Sequence, residues 1–324
     1  MRAFRLLLSS FISNVSADIS RLQSSAMATP KTSLSTSRPP STPPASLSAY
    51  ENKGLSHPPN LDPLTNAQKQ TCKVKPVTIK VNDDLYGAVP AFLHIPQNYR
   101  REQTEGRAET AAILLSGAGG GVVGPSSIYL SMADKLASLN KGIPVMRLDY
   151  RYPARNKYCV ADVQAAMKYL ETGYGLSKFV LVGWSFGGAP VYTLGGSEER
   201  VIGCATVASQ TAETEGIGRL APKPVLLMHG TGDRTLRYSC SQRLYDEYGT
   251  KGERELKLFD GDDHALTRNA REAETRLCEF VSKCAGVEIG GAEKEMMGQE
   301  LIGDGDRVRL MKEGGALNGG ERVE

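Results

Sequence analysis

Ser185 stands between two glycines in LVGWSFGGAP, residues 181–190, at the end of an apolar run. A serine hydroxyl attacks well only when a base takes its proton, a third group fixes that base, and donors await the charge that develops on the attacked oxygen. The pattern Gly-x-Ser-x-Gly is weak alone. With 34 glycines in 324 residues, chance produces it roughly once in a few such chains. The partners of Ser185 must decide.

The chain has four histidines. His57 falls in a Ser/Thr/Pro-rich stretch. His94 lies inside an apolar run and reads as a packed residue. His229 closes PVLLMHG and could shape the loop that follows. His264, in FDGDDHAL, comes just after the last strand-like run and is the candidate base. Asp233, in HGTGDRTL, is the candidate acid, holding the base by accepting its Nδ1 proton. Asp262 and Asp263 read as caps of the loop or of the next helix, because adjacent residues rarely bond side chain to side chain in that geometry. The backbone N–H of Phe186, directly after the nucleophile, and that of Ala118, with Gly119 as neighbouring candidate, are the expected oxyanion donors. Trp184 is placed in the substrate pocket, with simple packing as the competing role for both aromatics beside Ser185.

These residues need a scaffold that brings strand ends together. Eight short runs read as strands: VTIKV (77–81), VPAFLHI (89–95), AAILLS (111–116), IPVMRLDY (143–150), KFVLVGW (178–184), VIGCATVAS (201–209), PVLLMHG (224–230) and ELKLFD (255–260). Several are apolar throughout, as parallel strands covered on both faces are. Helical faces recur between and after them, formed by Ile128, Met132, Leu136 and Leu139, by Val160, Val163, Met167 and Leu170, and by Ala270, Leu277, Phe280, Val281 and Cys284. The expected fold is α/β, an open, mostly parallel eight-stranded sheet with helices on both faces. Residues 73–285 form the expected domain. Residues 1–26, Arg- and Ser-rich with a single acid, read as a targeting leader, 27–72 as a disordered Ser/Thr/Pro-rich linker, and 286–324 as a flexible Gly- and charge-rich tail.

With Ser185, Asp233 and His264 following the fifth, seventh and eighth runs in that order, residues 74–285 resemble the α/β-hydrolase superfamily, especially its compact branch of dienelactone hydrolases and related small serine hydrolases. The resemblance implies cleavage of a small carboxylic ester or thioester through an acyl-enzyme, with no cofactor and no metal. Three departures stand out. Dienelactone hydrolases proper use a cysteine where this chain has Ser185. The oxyanion strand commonly ends His-Gly and here reads Ser116-Gly117. YRYPAR replaces the Arg-Gly-x-Gly of many relatives, so Asp149 and Arg151 read as structural.

Two other readings compete. Gly119, Gly121 and Gly124 form G-x-G-x-x-G after a strand, with Asp149 at the end of the next, the layout of a dinucleotide site. Yet two strands precede it, and the 30-residue spacing exceeds the usual ~20. The same fold also serves as a non-catalytic binding module. Residues 1–71 carry seven Lys/Arg against three Asp/Glu, so a total of +3 leaves the remainder near neutral, with no signature of nucleic-acid binding. Six scattered cysteines, without a CxxC pair, suit free thiols in a reducing compartment. No run reaches the roughly 18 apolar residues of a membrane span. The expected location is therefore cytoplasmic or mitochondrial rather than secreted, with Met27 as an alternative start. The oligomeric state has no signature.

Overall fold

The run AAILLS is apolar throughout because the strand that it forms, β3 (Thr110–Leu115), is buried at every position. The computed structural model describes residues 46–102 and 108–323. All eight expected strands are present: β1 (Cys72–Lys80), β2 (Ala88–Pro96), β3, β4 (Val145–Leu148), β5 (Lys178–Trp184), β6 (Val201–Val207), β7 (Val225–Gly230) and β8 (Arg254–Phe259). They form one sheet in the order β1-β2-β4-β3-β5-β6-β7-β8. β1 and β2 pair antiparallel, as do β2 and β4; every pair from β4 to β8 is parallel. The parallel strands all end at one edge, where loops of an open α/β sheet bind ligands.

Two apolar layers cover the sheet. On one face α3 (Ile128–Ala137) and α7 (Ala270–Ala285) pack on Leu114, Val182, Val207 and Met228. On the other, α4 (Asn156–Tyr174), α5 (Gly188–Gly195) and α6 (Ser239–Tyr248) pack on Ile113, Leu181, Cys204 and Leu227. The alternation of side chains along each strand sends neighbours to opposite layers.

The termini differ from expectation. Residues 1–45, the expected leader and the first part of the expected linker, lie outside the described residues. The rest of the linker is ordered. It carries α1 (Leu47–Glu51) and α2 (Asn66–Lys69), and Tyr50, Leu55 and Leu64 are buried in the layer under α3. Residues 286–323, expected to be a mobile tail, build α8 (Gly291–Met297) and α9 (Asp304–Glu313). Met296, Met297, Leu301, Ile302, Leu310 and Met311 join the same layer. Neither segment has enough apolar residues for its own core, so composition reads both as disordered. Each adds a few large side chains to a face already present, and unbranched methionines fit such irregular gaps. Buried Lys135 of α3 fixes the new segment, donating to the carbonyls of Met297 at 3.0 Å and Gln299 at 2.7 Å. All six cysteines are free. Among the described residues no helix is long and apolar enough to cross a membrane.

Candidate active site

β5 ends at Trp184 and the chain turns at once into α5 through a single helical turn, Ser185–Gly187. Ser185 sits at the apex with φ +54°, a left-handed conformation that a non-glycine residue adopts only when its surroundings impose it. The flanking glycines make the turn possible. A Cβ on Gly183 would stand 2.5 Å from the carbonyl oxygen of Gly187, and one on Gly187 would stand 2.7 Å from those of Leu115 and Ser116. The strand therefore passes into the helix with no room for a Cβ at positions 183 and 187.

Asp233 and His264 meet at the same sheet edge, on the loops after β7 and β8. The Nδ1–H of His264 donates to Asp233 Oδ2 at 2.7 Å. Asp233 is held from all sides: Oδ1 accepts the backbone N–H groups of Thr235 and Leu236, each at 2.8 Å, and Oδ2 also accepts Nε2–H of His229 at 2.9 Å. Burial raises the Asp233 pKa, but the two imidazoles and the backbone donors outweigh it and hold the carboxyl well below the usual range. The His229 tautomer is fixed from behind, its Nδ1 accepting from Ser241 Oγ at 2.7 Å. His229 thus shapes the acid loop. Asp262 and Asp263 cap the base loop. Asp262 accepts from the backbone of Asp263, Arg268 and Asn269, and Asp263 from that of Ala265 and Thr267.

The region of the chain from residue 113 to 239 matches the family model for the alpha/beta hydrolase fold, a span that holds Ser185 and Asp233. The chain is also similar to solved structures. An esterase of Pyrococcus furiosus superposes with a TM-score of 0.54 at 16% identity, over 71% of this chain and 100% of that one. A dienelactone hydrolase from Anabaena variabilis gives 0.50 at 15%, over 65% and 99%. A puromycin-hydrolyzing peptidase of Mycobacterium tuberculosis gives 0.54 at 16%, over 69% of this chain and 41% of that one. This chain has the α/β-hydrolase fold. No curated protein sequence matches it.

One residue of the site carries no motif in the sequence. Glu321, from the segment beyond α9, reaches into the site and is 6% exposed although Gly320 and Arg322 on either side are exposed. Its Oε1 accepts the backbone N–H of Ala118 at 2.6 Å, and its Oε2 faces His264 Nε2 at 3.0 Å. A carboxylate only accepts, so both ring nitrogens of His264 donate and the ring is an imidazolium. Burial disfavours that charge, but the hydrogen bonds and charges of Asp233 and Glu321 prevail and push the His264 pKa up to about 9. Among the described residues no hydrogen bond joins His264 to Ser185. The sole sequence signal of this contact was an acid near the end of a glycine-rich stretch.

Trp184, expected to line the substrate pocket, is wholly buried. Its Nε1–H donates to the carbonyl of His264 at 3.0 Å, and its ring lies 5.4 Å from the imidazole. It props the base loop from the α3 and α7 side of the sheet, because side chains alternate along β5. Phe186 is buried in the opposite layer against Tyr150, 6.0 Å between ring centroids. Gly119 lies against the chain near Asn318. Asp149, the ribose carboxylate of the dinucleotide reading, accepts from Gly121 N–H, Tyr150 N–H and Tyr50 Oη within the protein. Its acceptor capacity serves the fold. Arg151 pairs with Asp83 and Asp162, as a structural residue does.

At the far side of β2, Cys72, His94 and Asp134 bring ligand-type atoms within 4.8 Å of one another. Their hydrogen bonds do not suit a cation. Arg147 Nε–H donates to His94 Nε2 at 2.9 Å, so His94 carries its proton on Nδ1 and gives it to Asp134 Oδ1 at 2.6 Å. Neither imidazole nitrogen keeps a free lone pair. Burial also pushes the Cys72 thiol far up, against forming a thiolate.

Proposed function

We propose that this protein is a serine hydrolase that cleaves a small carboxylic ester or thioester through an acyl-enzyme. Ser185 attacks the carbonyl carbon while His264, neutral in the reacting state, takes its proton. Asp233 orients the ring and stabilises the imidazolium that results. The Phe186 and Ala118 backbone N–H groups receive the oxyanion, with Gly119 beside Ala118. His264 then returns the proton to the leaving group and activates the water that releases the acid.

The observation that carries this reading is the carboxylate of Glu321. One carboxyl group touches both the Ala118 N–H and His264 Nε2, so a donor for negative charge and the base converge on one small volume at the sheet edge where β5 gives way to Ser185. An acyl group undergoing attack needs that convergence. Asp233, locked by four hydrogen bonds, supplies the fixed orienting group. Between β6 and β7, residues 208–224 hold one short helical turn, Glu215–Arg219, and no longer helix that could serve as a lid. This favours small acyl groups over peptides.

Hydrolysis of short p-nitrophenyl esters and acyl thioesters tests the reading. Ser185→Ala should lower turnover by about 10⁴-fold or more at unchanged circular dichroism, and His264→Ala by a similar amount, because the members of a triad act as a unit. Turnover that survives in Ser185→Ala would reject the assignment.

A further inference from the structure

The chain carries two glycine-rich stretches whose purpose the triad does not explain, SGAGGGVVG at 116–124 and GGALNGG at 314–320. They lie against each other. The Val122 N–H donates to the Gly314 carbonyl at 3.1 Å. A Cβ on Gly121 would stand 2.7 Å from the Ala316 nitrogen, one on Gly319 would stand 2.7 Å from the Ala118 carbonyl oxygen, and one on Gly119 would collide with the Asn318 backbone. Backbone meets backbone along the loop that holds the oxyanion donor. On Gly117 a Cβ would collide with the carboxylate of Glu321 itself. The G-x-G-x-x-G pattern thus forms a bed for the chain's own C-terminal segment.

We propose that residues 314–323 are an autoinhibitory latch, with Glu321 as its tip. The inference rests on the serine-hydrolase reading of the site. Docked, the Glu321 carboxylate stands where the oxyanion of a substrate would stand, using the Ala118 N–H, and it engages the base at the nitrogen that must receive the Ser185 proton. The closed site is inactive on three counts. The oxyanion donor is taken, the base is held in its charged form, and His264 is 0% exposed, so no ester reaches it.

The anchor and the tip differ in how firmly they are held. Leu310 and Met311 of α9 are buried, and buried Arg307 donates to the Ser126 carbonyl at 3.1 Å while its own carbonyl accepts from Ser127 Oγ at 2.8 Å. Asn318, Gly319 and Gly320 are exposed, and both glycines have positive φ, +65° and +93°. Two glycines lose more backbone entropy on docking than any other pair, which weakens the tip relative to the anchor. Rotation at Gly319 and Gly320 withdraws Glu321 while α9 stays in place. An acyl substrate competes with the tip for the same donor and base, so the latch lowers apparent affinity by the fraction of molecules that are open.

The test compares the full chain, Glu321→Ala and a chain ending at Leu317, by the rate of fluorophosphonate labelling and by ester hydrolysis, with thermal unfolding as the check on fold. Each charge-assisted contact of Glu321 is worth about tenfold, so labelling of Glu321→Ala and of the truncated chain should run roughly tenfold to a hundredfold faster. A synthetic peptide of residues 318–324 should slow the truncated enzyme competitively, and the same peptide with Glu321→Gln should do so less. Equal labelling in all three folded proteins would overturn the latch and leave the serine reading intact. No labelling in any of them would overturn the serine reading and the latch with it.

Discussion

The molecule builds the same constellation twice, a buried aspartate between two histidines, and uses each differently. Asp233 lies between His264 and His229, and Asp134 between His94 and His57. What separates them is the far nitrogen of the key ring. His94 Nε2 accepts from Arg147, a buried residue that also donates to the carbonyls of Leu55, Ser56 and Val122. That ring is held neutral: burial, then the Arg147 charge, brings its pKa down to about 4. His264 Nε2 faces instead a carboxylate on a glycine-hinged segment, and its pKa goes up to about 9. The first cluster ties the N-terminal strap to the sheet. In the second, the nitrogen is covered by Glu321, and the proposed latch requires that this cover be displaceable.

The largest expected effect separates the two aspartates. Asp233→Asn should lower ester turnover by about 10⁴-fold, because the base loses its orienting acceptor. Asp134→Asn should leave turnover per folded molecule within about threefold and instead cost about 3–5 kcal/mol of stability, read from denaturant unfolding, because buried partners lose their charge. Equal losses of activity in both would erase the distinction drawn here. Arg147→Met follows in size. It should destabilise the fold by a few kcal/mol, about 3, since three carbonyls and His94 lose a donor, and the acid limb of the activity profile should stay in place.

The pH dependences should have opposite signs. The charged groups facing His264 are Asp233, on the loop after β7 and also bonded by His229, and Glu321 from the tail. Its raised pKa means that the docked latch is favoured below 6.5 and lost as pH rises through about 9. The acid limb of kcat/KM should therefore lie near that value in the full chain and move to lower pH in Glu321→Gln. His94 is depressed, so its share of stability is present above 6.5 and is lost as pH falls toward about 4. Imidazole NMR titration of both rings checks this, and a His94 that titrates above its ordinary value would break the comparison. The smallest effect is at Trp184. Trp184→Phe removes one hydrogen bond to the His264 carbonyl and should slow turnover by roughly threefold to tenfold.

The sheet was legible because buried parallel strands leave continuous apolar runs. KFVLVGW coincides with β5 from end to end, and the other runs miss their strands by a few residues. The position of Ser185 was legible for a related reason: Gly183 and Gly187 mark a turn too tight for a Cβ. That Asp233 and His264 would come together was legible from chain order, since each lies on the loop after a strand that periodicity locates. Trp184 was misread because a residue beside a nucleophile can point to either layer, and alternation along β5 sends this one beneath the base. The termini were misread because their apolar residues have no period of their own. Met296, Met297 and Met311 join an apolar layer built by distant parts of the chain, which local composition does not register. Glu321 was missed for the same reason, as nothing near it in the chain indicates an active site 57 residues away at His264.

The central claim is an activated serine at position 185, and the most direct measurement is the site of fluorophosphonate attachment, mapped by peptide mass spectrometry in the Glu321→Ala protein, where the latch no longer shields it. The account predicts one adduct, on the peptide that contains Ser185, and none in Glu321→Ala combined with Ser185→Ala. A folded protein that takes up no label, or takes it up elsewhere, would contradict it.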